Sequence, residues 1–321
     1  MKAMIYTKYG SPDVLELTEV EKPTPRGDEV LVKLHAVSLN SSDWEFLIAK
    51  SFIIRLLSGL LKPKYTILGS DIAGRVETVG KDVKQFQPGD EVYGDIFMRW
   101  GGFAEYVCAS EDTLMKKPAC MTFEEAAAMP QAGTLALQGL RDKGQVKTGQ
   151  NILINGAGGG AGTFAIQIAK SYGAEVTGVD NAGKLDMMRR VGADHVIDYT
   201  KEDFTRNGKS YDLILDFAVY RSIFHNKRAL APKGIYVFVG GSMAWAFQIL
   251  CLGPLIKKIG GQEIGILSHH QNKKDMALMA DLFERGTVVP IIDRCYTFGE
   301  AAKAFRYLGE GKARGKVVIT M

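Results

Sequence analysis

Asn151-Ile-Leu-Ile-Asn155 runs without a break into Gly156-Ala-Gly-Gly-Gly-Ala-Gly162 and then into Thr163-Phe-Ala-Ile-Gln-Ile-Ala-Lys170. The order is apolar strand, glycine turn, apolar helix, which is what a dinucleotide-binding loop requires. Glycines let the backbone turn tightly and approach a pyrophosphate, while the helix start offers unpaired N–H groups and the positive end of its dipole. Two registers fit: Gly156-x-Gly158-x-x-Ala161, or one that ends at Gly162. The second is preferred, with Gly159 and Gly162 nearest the phosphates and Gly158, Gly160 and Ala161 completing the cradle. A glycine-rich turn can also serve only to join a strand to a helix without strain. Context decides against that reading, because Asp180 closes the next strand about 20 residues after Gly160, where an acid meets the adenosine ribose in such folds.

Working outward, strands are expected at Glu175–Val179, His195–Asp198, Leu213–Asp216 and Ile235–Val239, with a helix over Lys184–Val191 stopped by Gly192. Ile264–Leu267 adds a sixth strand. Alternating strands and helices mean a doubly wound parallel sheet, an α/β cofactor domain. The chain before it is different. Short alternating segments (Glu29–Ala36, Ile72–Val79, Glu91–Val92, Phe103–Val107) broken by turns such as Gln87-Pro-Gly-Asp90 read as a β-rich, barrel-like domain. Thr122-Phe-Glu-Glu125 is a helix-capping pattern and marks the boundary. Helices over Lys273–Arg285 and Glu300–Leu308 and a strand over Lys316–Thr320 find no place in the parallel sheet, so the chain returns to its first domain. The expected division is therefore 1–121 with 269–321 for the barrel and 122–268 for the cofactor domain.

Composition narrows the function. Of 321 residues, 46% are hydrophobic and 24% charged, enough to bury a large core and too apolar for a disordered chain. The net charge of +4 is spread along the chain, which argues against nucleic acid as a partner. Cys108, Cys120, Cys251 and Cys295 have neither zinc spacing nor the density of a disulfide framework, so a reducing, cytoplasmic compartment is expected. Met1–Gly10 reads as a first strand rather than a signal peptide. The longest uncharged apolar stretch, Met243–Ile256, is interrupted by Gly253 and Pro254 and falls short of the ~20 residues of a spanning helix. The five histidines show no metal spacing and receive no role.

Further motifs carry a resemblance: Met1-Lys-Ala-Met-Ile-Tyr6, Leu68-Gly-Ser-Asp-Ile-Ala-Gly74, Gln87-Pro-Gly-Asp-Glu-Val92, Gly102-Phe-Ala-Glu-Tyr106, Gly192-Ala-Asp-His-Val-Ile197 and Arg314-Gly-Lys-Val-Val-Ile319. With the glycine loop, they make the chain resemble, end to end, the medium-chain dehydrogenase/reductase superfamily and its zinc-free quinone oxidoreductase-like branch. The resemblance implies a GroES-like catalytic barrel with a Rossmann domain inserted. Alcohol dehydrogenases of this superfamily hold a catalytic zinc, but the matching positions here are Asn40, Ser70 and a residue near Pro130. Without a Lewis acid, hydride transfer suits an acceptor that spreads charge through its own π-system, a quinone or an α,β-unsaturated carbonyl.

Site residues follow from the same comparison. Asn40 and Asp43 belong to the segment that lines the cleft in the resembled family. Asn40 would orient a carbonyl or a water, whereas Asp43 is read equally as a site residue and as part of a Ser42-Asp-Trp-Glu45 capping box. Tyr65 would donate a proton. Thr134, Phe217 and the turn Val239-Gly240-Gly241-Ser242 would meet the nicotinamide. Asp180, Asn181, Lys184 and Tyr199 would surround the adenosine ribose of NADH or NADPH, with Asp180 tilting the choice slightly to NADH. Phe46–Leu61 and Met243–Ile256 are read as core, with a greasy mouth for a lipophilic acceptor or peripheral membrane contact as alternatives. Ile264–Leu267, as an exposed sheet edge, suggests a homodimer. The reading is an NAD(P)H-dependent quinone or enone reductase. An enoyl thioester reductase and a non-catalytic, membrane-associated dinucleotide-binding protein are its rivals.

Overall fold

The computed structural model describes residues 1–241 and 243–321, without the side chains of Met243 and Ile259. The chain forms two compact units: Met1–Gln131, Gln271–Glu284 and Pro290–Met321 make one, and Ala132–His270 with Arg285–Val289 the other.

The second unit is built on a six-stranded sheet in the order His195–Asp198, Glu175–Asp180, Asn151–Asn155, Tyr211–Asp216, Leu230–Phe238, Glu263–Ile266. All neighbours are parallel. The chain enters at Asn151–Asn155, winds to one edge, then crosses to Tyr211–Asp216 and winds to the other. The reversal lies between those two strands, the switch point at which open α/β sheets bind ligands beyond their carboxyl ends. Both faces are covered, so the central strands are apolar throughout: Ile152, Leu153, Ile154, Leu213, Ile214 and Leu215 are fully buried. The apolar run expected to break at Gly253 and Pro254 is instead one helix, Met243–Gly260, with Pro254 inside it. Gly253 lets that helix press on the edge strand, since a Cβ there would stand 2.7 Å from the Ile264 carbonyl oxygen.

The first unit is a sheet of mostly antiparallel strands, Ile292–Thr297, Lys316–Thr320, Glu29–Leu39, Asp71–Val79, Glu91–Asp95 and Leu114–Lys116 in that order, with Tyr106–Ser110 also on Glu29–Leu39. The last strand of the chain lies against the long early one, Val317 opposite Leu39 and Thr320 opposite Ala36. Val30, Val32, Leu34, Val37 and Leu39 join Ile72, Val76, Phe103, Phe305, Val317 and Ile319 in one core. The boundary expected at Thr122 lies after Gln131. The reason is the helix Phe123–Ala128, capped by Thr122, whose Ala126, Ala127 and Ala128 are buried on the barrel side. The short return Arg285–Val289, expected in the barrel, packs with the second unit, where Gln167 exchanges hydrogen bonds with the Val289 backbone at 2.9 and 3.0 Å.

Candidate active site

At the carboxyl edge of the parallel sheet the strand Asn151–Asn155 turns through Gly156, whose φ of 79° lies in the left-handed region that favours glycine. The helix begins at Gly160, inside the glycine run rather than at Thr163, with Gly159 as its N-cap. Gly162 is the close-approach position: a Cβ there would stand 2.3 Å from the Gly156 carbonyl oxygen, a backbone atom that cannot swing away. The first-turn amides of Gly160, Ala161 and Gly162 lack intrahelical partners, as in any α-helix, and a glycine N-cap has no side chain to take them. The loop is an anion cradle of backbone N–H groups at a positive dipole end.

Asp180 ends the adjacent strand and faces this loop. Its Oδ2 accepts from Gly158 N at 3.0 Å, its Oδ1 from Asn181 N at 2.8 Å, and Lys184 Nζ lies 3.4 Å from Oδ1. Asn181 donates from Nδ2 to Asp180 and accepts from Gly183 N, which leaves one amide N–H and one lone pair of its side chain free of these contacts. Asp180 and Lys184 are both buried, so their opposite charges offset each other. Tyr199 is exposed and pairs with Tyr220, ring centroids 5.9 Å apart. Tyr220 is absent from the sequence reading because a tyrosine in a loop carries no periodic signal.

Phe217 donates its N–H to Asn155 O at 3.0 Å, Val239 donates to Asp216 O at 3.0 Å, and Gly240 O accepts from Val219 N at 3.3 Å. Gly241 bridges Val219, so these turns are stitched together beside the glycine loop. Ser242 lies outside the described residues. Beneath them Asp216 is fully buried, accepting from Asn155 Nδ2 (2.7 Å), Ala218 N (3.1 Å) and the Tyr236 hydroxyl (2.8 Å). Burial pushes its pKa up to about 6 against those hydrogen bonds. Thr134, in the helix Pro130–Gln138, meets His269 Nε2 at 2.9 Å, one of the histidines to which the sequence assigned no role.

The barrel unit holds a second polar constellation. Asn40 is the N-cap of the helix Ser41–Ile48, so the expected Ser42–Glu45 capping box is displaced. The N-cap comes two residues earlier because Asp43 Oδ2 accepts from Asn40 N at 2.7 Å. Asp43 Oδ1 takes Gly69 N at 2.9 Å, so both of its oxygens are occupied by backbone. It is fully buried, which pushes its pKa up to about 7.

Lys316, 2% exposed, donates from Nζ to Asn40 Oδ1 at 2.6 Å and stands 3.6 Å from the wholly buried Asp71. That bond fixes the Asn40 amide, turning Nδ2 towards Ser70 Oγ at 3.4 Å. Asp71 also accepts from Gln131 N, at 3.1 and 3.3 Å, and Asp95 lies opposite it in the neighbouring strand. Burial raises the Asp71 carboxyl against the pull of Lys316 and pushes Asp95 up to about 7, while it lowers the Lys316 ammonium against the same acids. Tyr65 takes no part in this network; it is half-buried on the barrel core with Lys64 Nζ 5.2 Å from its ring. Sequence reasoning missed Lys316, because a lysine opening a terminal strand ordinarily sits in solvent.

Two family models match the chain: the alcohol dehydrogenase GroES-like domain over residues 26–119 and the zinc-binding dehydrogenase over 191–319. A 2-methylene-furan-3-one reductase of Solanum lycopersicum is 35% identical over 99% of this chain and 79% of its own length. The chain belongs to the medium-chain dehydrogenase/reductase superfamily, as a quinone oxidoreductase-like member. Among solved structures, a quinone oxidoreductase from Coxiella burnetii superposes with a TM-score of 0.90 at 30% identity, covering 100% of this chain and 99% of that one. The CurK enoyl reductase gives 0.84 at 25%, with the same coverage.

The family implies NADH or NADPH, and the glycine cradle with its open first-turn amides fits a dinucleotide. The zinc-binding dehydrogenase model brings zinc into question, and here the residues do not fit. Asn40 and Ser70 are poor zinc ligands, the Lys316 ammonium stands 2.6 Å from the Asn40 oxygen, and among the described residues no group of three His, Cys, Asp or Glu side chains is placed to hold a metal.

Two outcomes follow. Lys316→Met leaves Asp71 buried without its counter-charge, so stability at pH 8 falls by about 3–5 kcal/mol in denaturant titrations. Because Asp71 then binds a proton more tightly folded than unfolded, the loss shrinks at pH 5.5; an equal loss at both values would remove the ion pair from the account. Asp180→Ser frees Lys184 for a 2′-phosphate, and the ratio of kcat/KM for NADPH to that for NADH rises about tenfold, on the order of 1.4 kcal/mol. An unchanged ratio at fixed ionic strength means that Asp180 does not read the ribose.

Proposed function

We propose that the protein is an NAD(P)H-dependent reductase that passes hydride to a quinone or an α,β-unsaturated carbonyl without zinc. The observation that carries this reading is the lysine-centred cluster at Asn40 and Ser70, a donor set unfit for a Lewis-acid metal. The bound nicotinamide supplies the hydride. Gly159 to Gly162 take the pyrophosphate on backbone amides, and Asp180, Asn181, Lys184 and Tyr199 receive the adenosine ribose. Thr134, Phe217 and Val239–Gly241 hold the nicotinamide end.

Asn40 is assigned the acceptor oxygen. Its Nδ2 contact to Ser70 is long at 3.4 Å, so exchanging it for a carbonyl oxygen is a small rearrangement. Lys316 acts behind it as a fixed positive charge that keeps the amide turned the right way. Asp43 is assigned to capping, since its two oxygens are already spent on Asn40 N and Gly69 N. Tyr65 is retained as the proton donor after hydride transfer. Positioning and water exclusion do the rest, because a conjugated acceptor delocalises the incoming charge itself.

An enoyl thioester is the rival acceptor, supported by the likeness to the CurK enoyl reductase. Saturation kinetics on a quinone, an enone and a crotonyl thioester separates the two. We further place the protein in the cytoplasm, a reading supported by the free thiols of Cys108, Cys120, Cys251 and Cys295. Among the described residues no helix is long and apolar enough to cross a membrane.

Quinone-dependent oxidation of the reduced cofactor is expected to survive dialysis against chelator at its full rate, with zinc far below one per chain. Stoichiometric zinc whose removal abolishes turnover refutes the mechanism. A homodimer is also expected, because Glu263–Ile266 is an edge of the parallel sheet and unpaired edges invite a symmetry mate. Light scattering that gives the monomer mass at every concentration rules it out.

A further inference from the structure

The short helix Phe52–Ser58 is inside out. Its inner face is narrow: Ile54 is half-buried against the barrel core, and Ser58, wholly buried, donates to Ile54 O at 2.7 Å and lies 2.8 Å from the Tyr9 hydroxyl. Tyr9 in turn donates to Gly59 O at 2.5 Å. Arg55 Nε donates to Ala49 O at 2.9 Å, with its guanidinium 5.1 Å from the Tyr9 ring centroid. A helix of seven residues does not persist alone in water, so these contacts hold it in place.

What they present is apolar. Phe52, Ile53, Leu56 and Leu57 share one face at spacings i, i+1, i+4 and i+5, and Leu60 and Leu61 extend it beyond the helix. Phe52 and Leu56 are each 68% exposed and Leu61 is 90% exposed. An ordinary surface helix turns this stripe inward, and monomeric proteins rarely leave such a patch to water.

Charge selects the occupant. From Phe46 to Ser70 the chain carries Lys50, Arg55, Lys62 and Lys64 and no Asp or Glu. Lys50, Lys62 and Lys64 are exposed beside the leucines. A second copy of the chain docking on this patch about a two-fold axis brings like charges together, whereas an anionic headgroup layer over hydrocarbon answers both the lysines and the leucines. The helix Met243–Gly260 of the other unit pairs the same features, with Phe247, Leu250 and Leu255 exposed near Lys257 and Lys258. We propose that Phe52–Leu61 is an interfacial anchor, its apolar side chains entering the outer part of an anionic leaflet and Lys50, Lys62 and Lys64 resting on lipid phosphates.

The test is flotation of the full chain with phosphatidylcholine vesicles, with and without about one third phosphatidylglycerol, at low and high salt. Binding is expected to the anionic vesicles only, weakening as salt rises. Lys62→Gln with Lys64→Gln lowers the partition coefficient roughly tenfold, and Leu56→Asp with Leu61→Asp by more than that. Both double variants keep the wild-type thermal midpoint, since the changed side chains are exposed. The proposal is overturned by absence of binding at low salt, by equal binding to neutral vesicles, by double variants that float like wild type, or by a patch whose loss changes only the oligomer mass. Vesicle binding is read without substrate turnover, so its failure leaves the reductase reading standing, and the reverse.

Discussion

One buried ammonium organises the barrel. Lys316 arrives on the last strand of the chain and meets Asn40, at the end of the long early strand, and Asp71, at the start of the next. Three segments far apart in sequence are locked by a charge that none of them tolerates alone. Burying a lysine is costly, as is burying Asp43, Asp71 and Asp95 around it. The arrangement persists because each charge has backbone or side-chain partners: Gly69 N and Asn40 N for Asp43, Gln131 N for Asp71, Phe97 N for Asp95. Acids pushed up to about 7 keep protons that an unfolded chain releases near pH 4. Their contribution is therefore complete below pH 4 and is lost as the pH climbs towards 7 and beyond.

The cofactor unit follows another constraint, close approach of backbone to backbone. A Cβ at Gly162 would collide with the Gly156 carbonyl, and one at Gly158 would stand 2.6 Å from Lys184 Cδ and 3.1 Å from Asp180 Oδ2. The same lack of side chains that lets the turn close leaves the first-turn amides open. Asp180 then becomes part of the wall, tied to Gly158 N and balanced by Lys184, rather than an isolated charge awaiting a ribose.

Much of this was legible in the sequence, for physical reasons. Buried parallel strands are apolar on both faces, so Leu213–Asp216 stood out from its surroundings and in the structure begins at Tyr211, while the edge strand His195–Asp198, half polar, keeps both of its expected ends. Boundaries set by backbone geometry were less visible. The helix after the glycine loop starts at Gly160, because an N-terminus is defined by amide direction and glycine's poor propensity hid it. Asn40 displaced Ser42 as N-cap because the acid three residues on, Asp43, was free to reach its N–H, and a Pro at position 254 is accommodated within a helix that tertiary packing sustains. In the site, the glycine cradle and Asp180 have local signatures. Lys316, His269 and Tyr220 have none, since each acquires its meaning only from a partner distant in sequence or across a loop.

The way the chain closes on itself has a consequence for its birth. Ribosomal synthesis is vectorial, and Ala132–His270 with Arg285–Val289, the whole second unit, is synthesised before Lys316–Thr320. The early strand Glu29–Leu39 pairs with Tyr106–Ser110 over Glu29–Lys33, but its Ala36–Leu39 end waits for Lys316–Thr320, when Val317 settles opposite Leu39. Until then the nascent barrel lacks two strands of its sheet, whereas every strand of the parallel sheet has already been made.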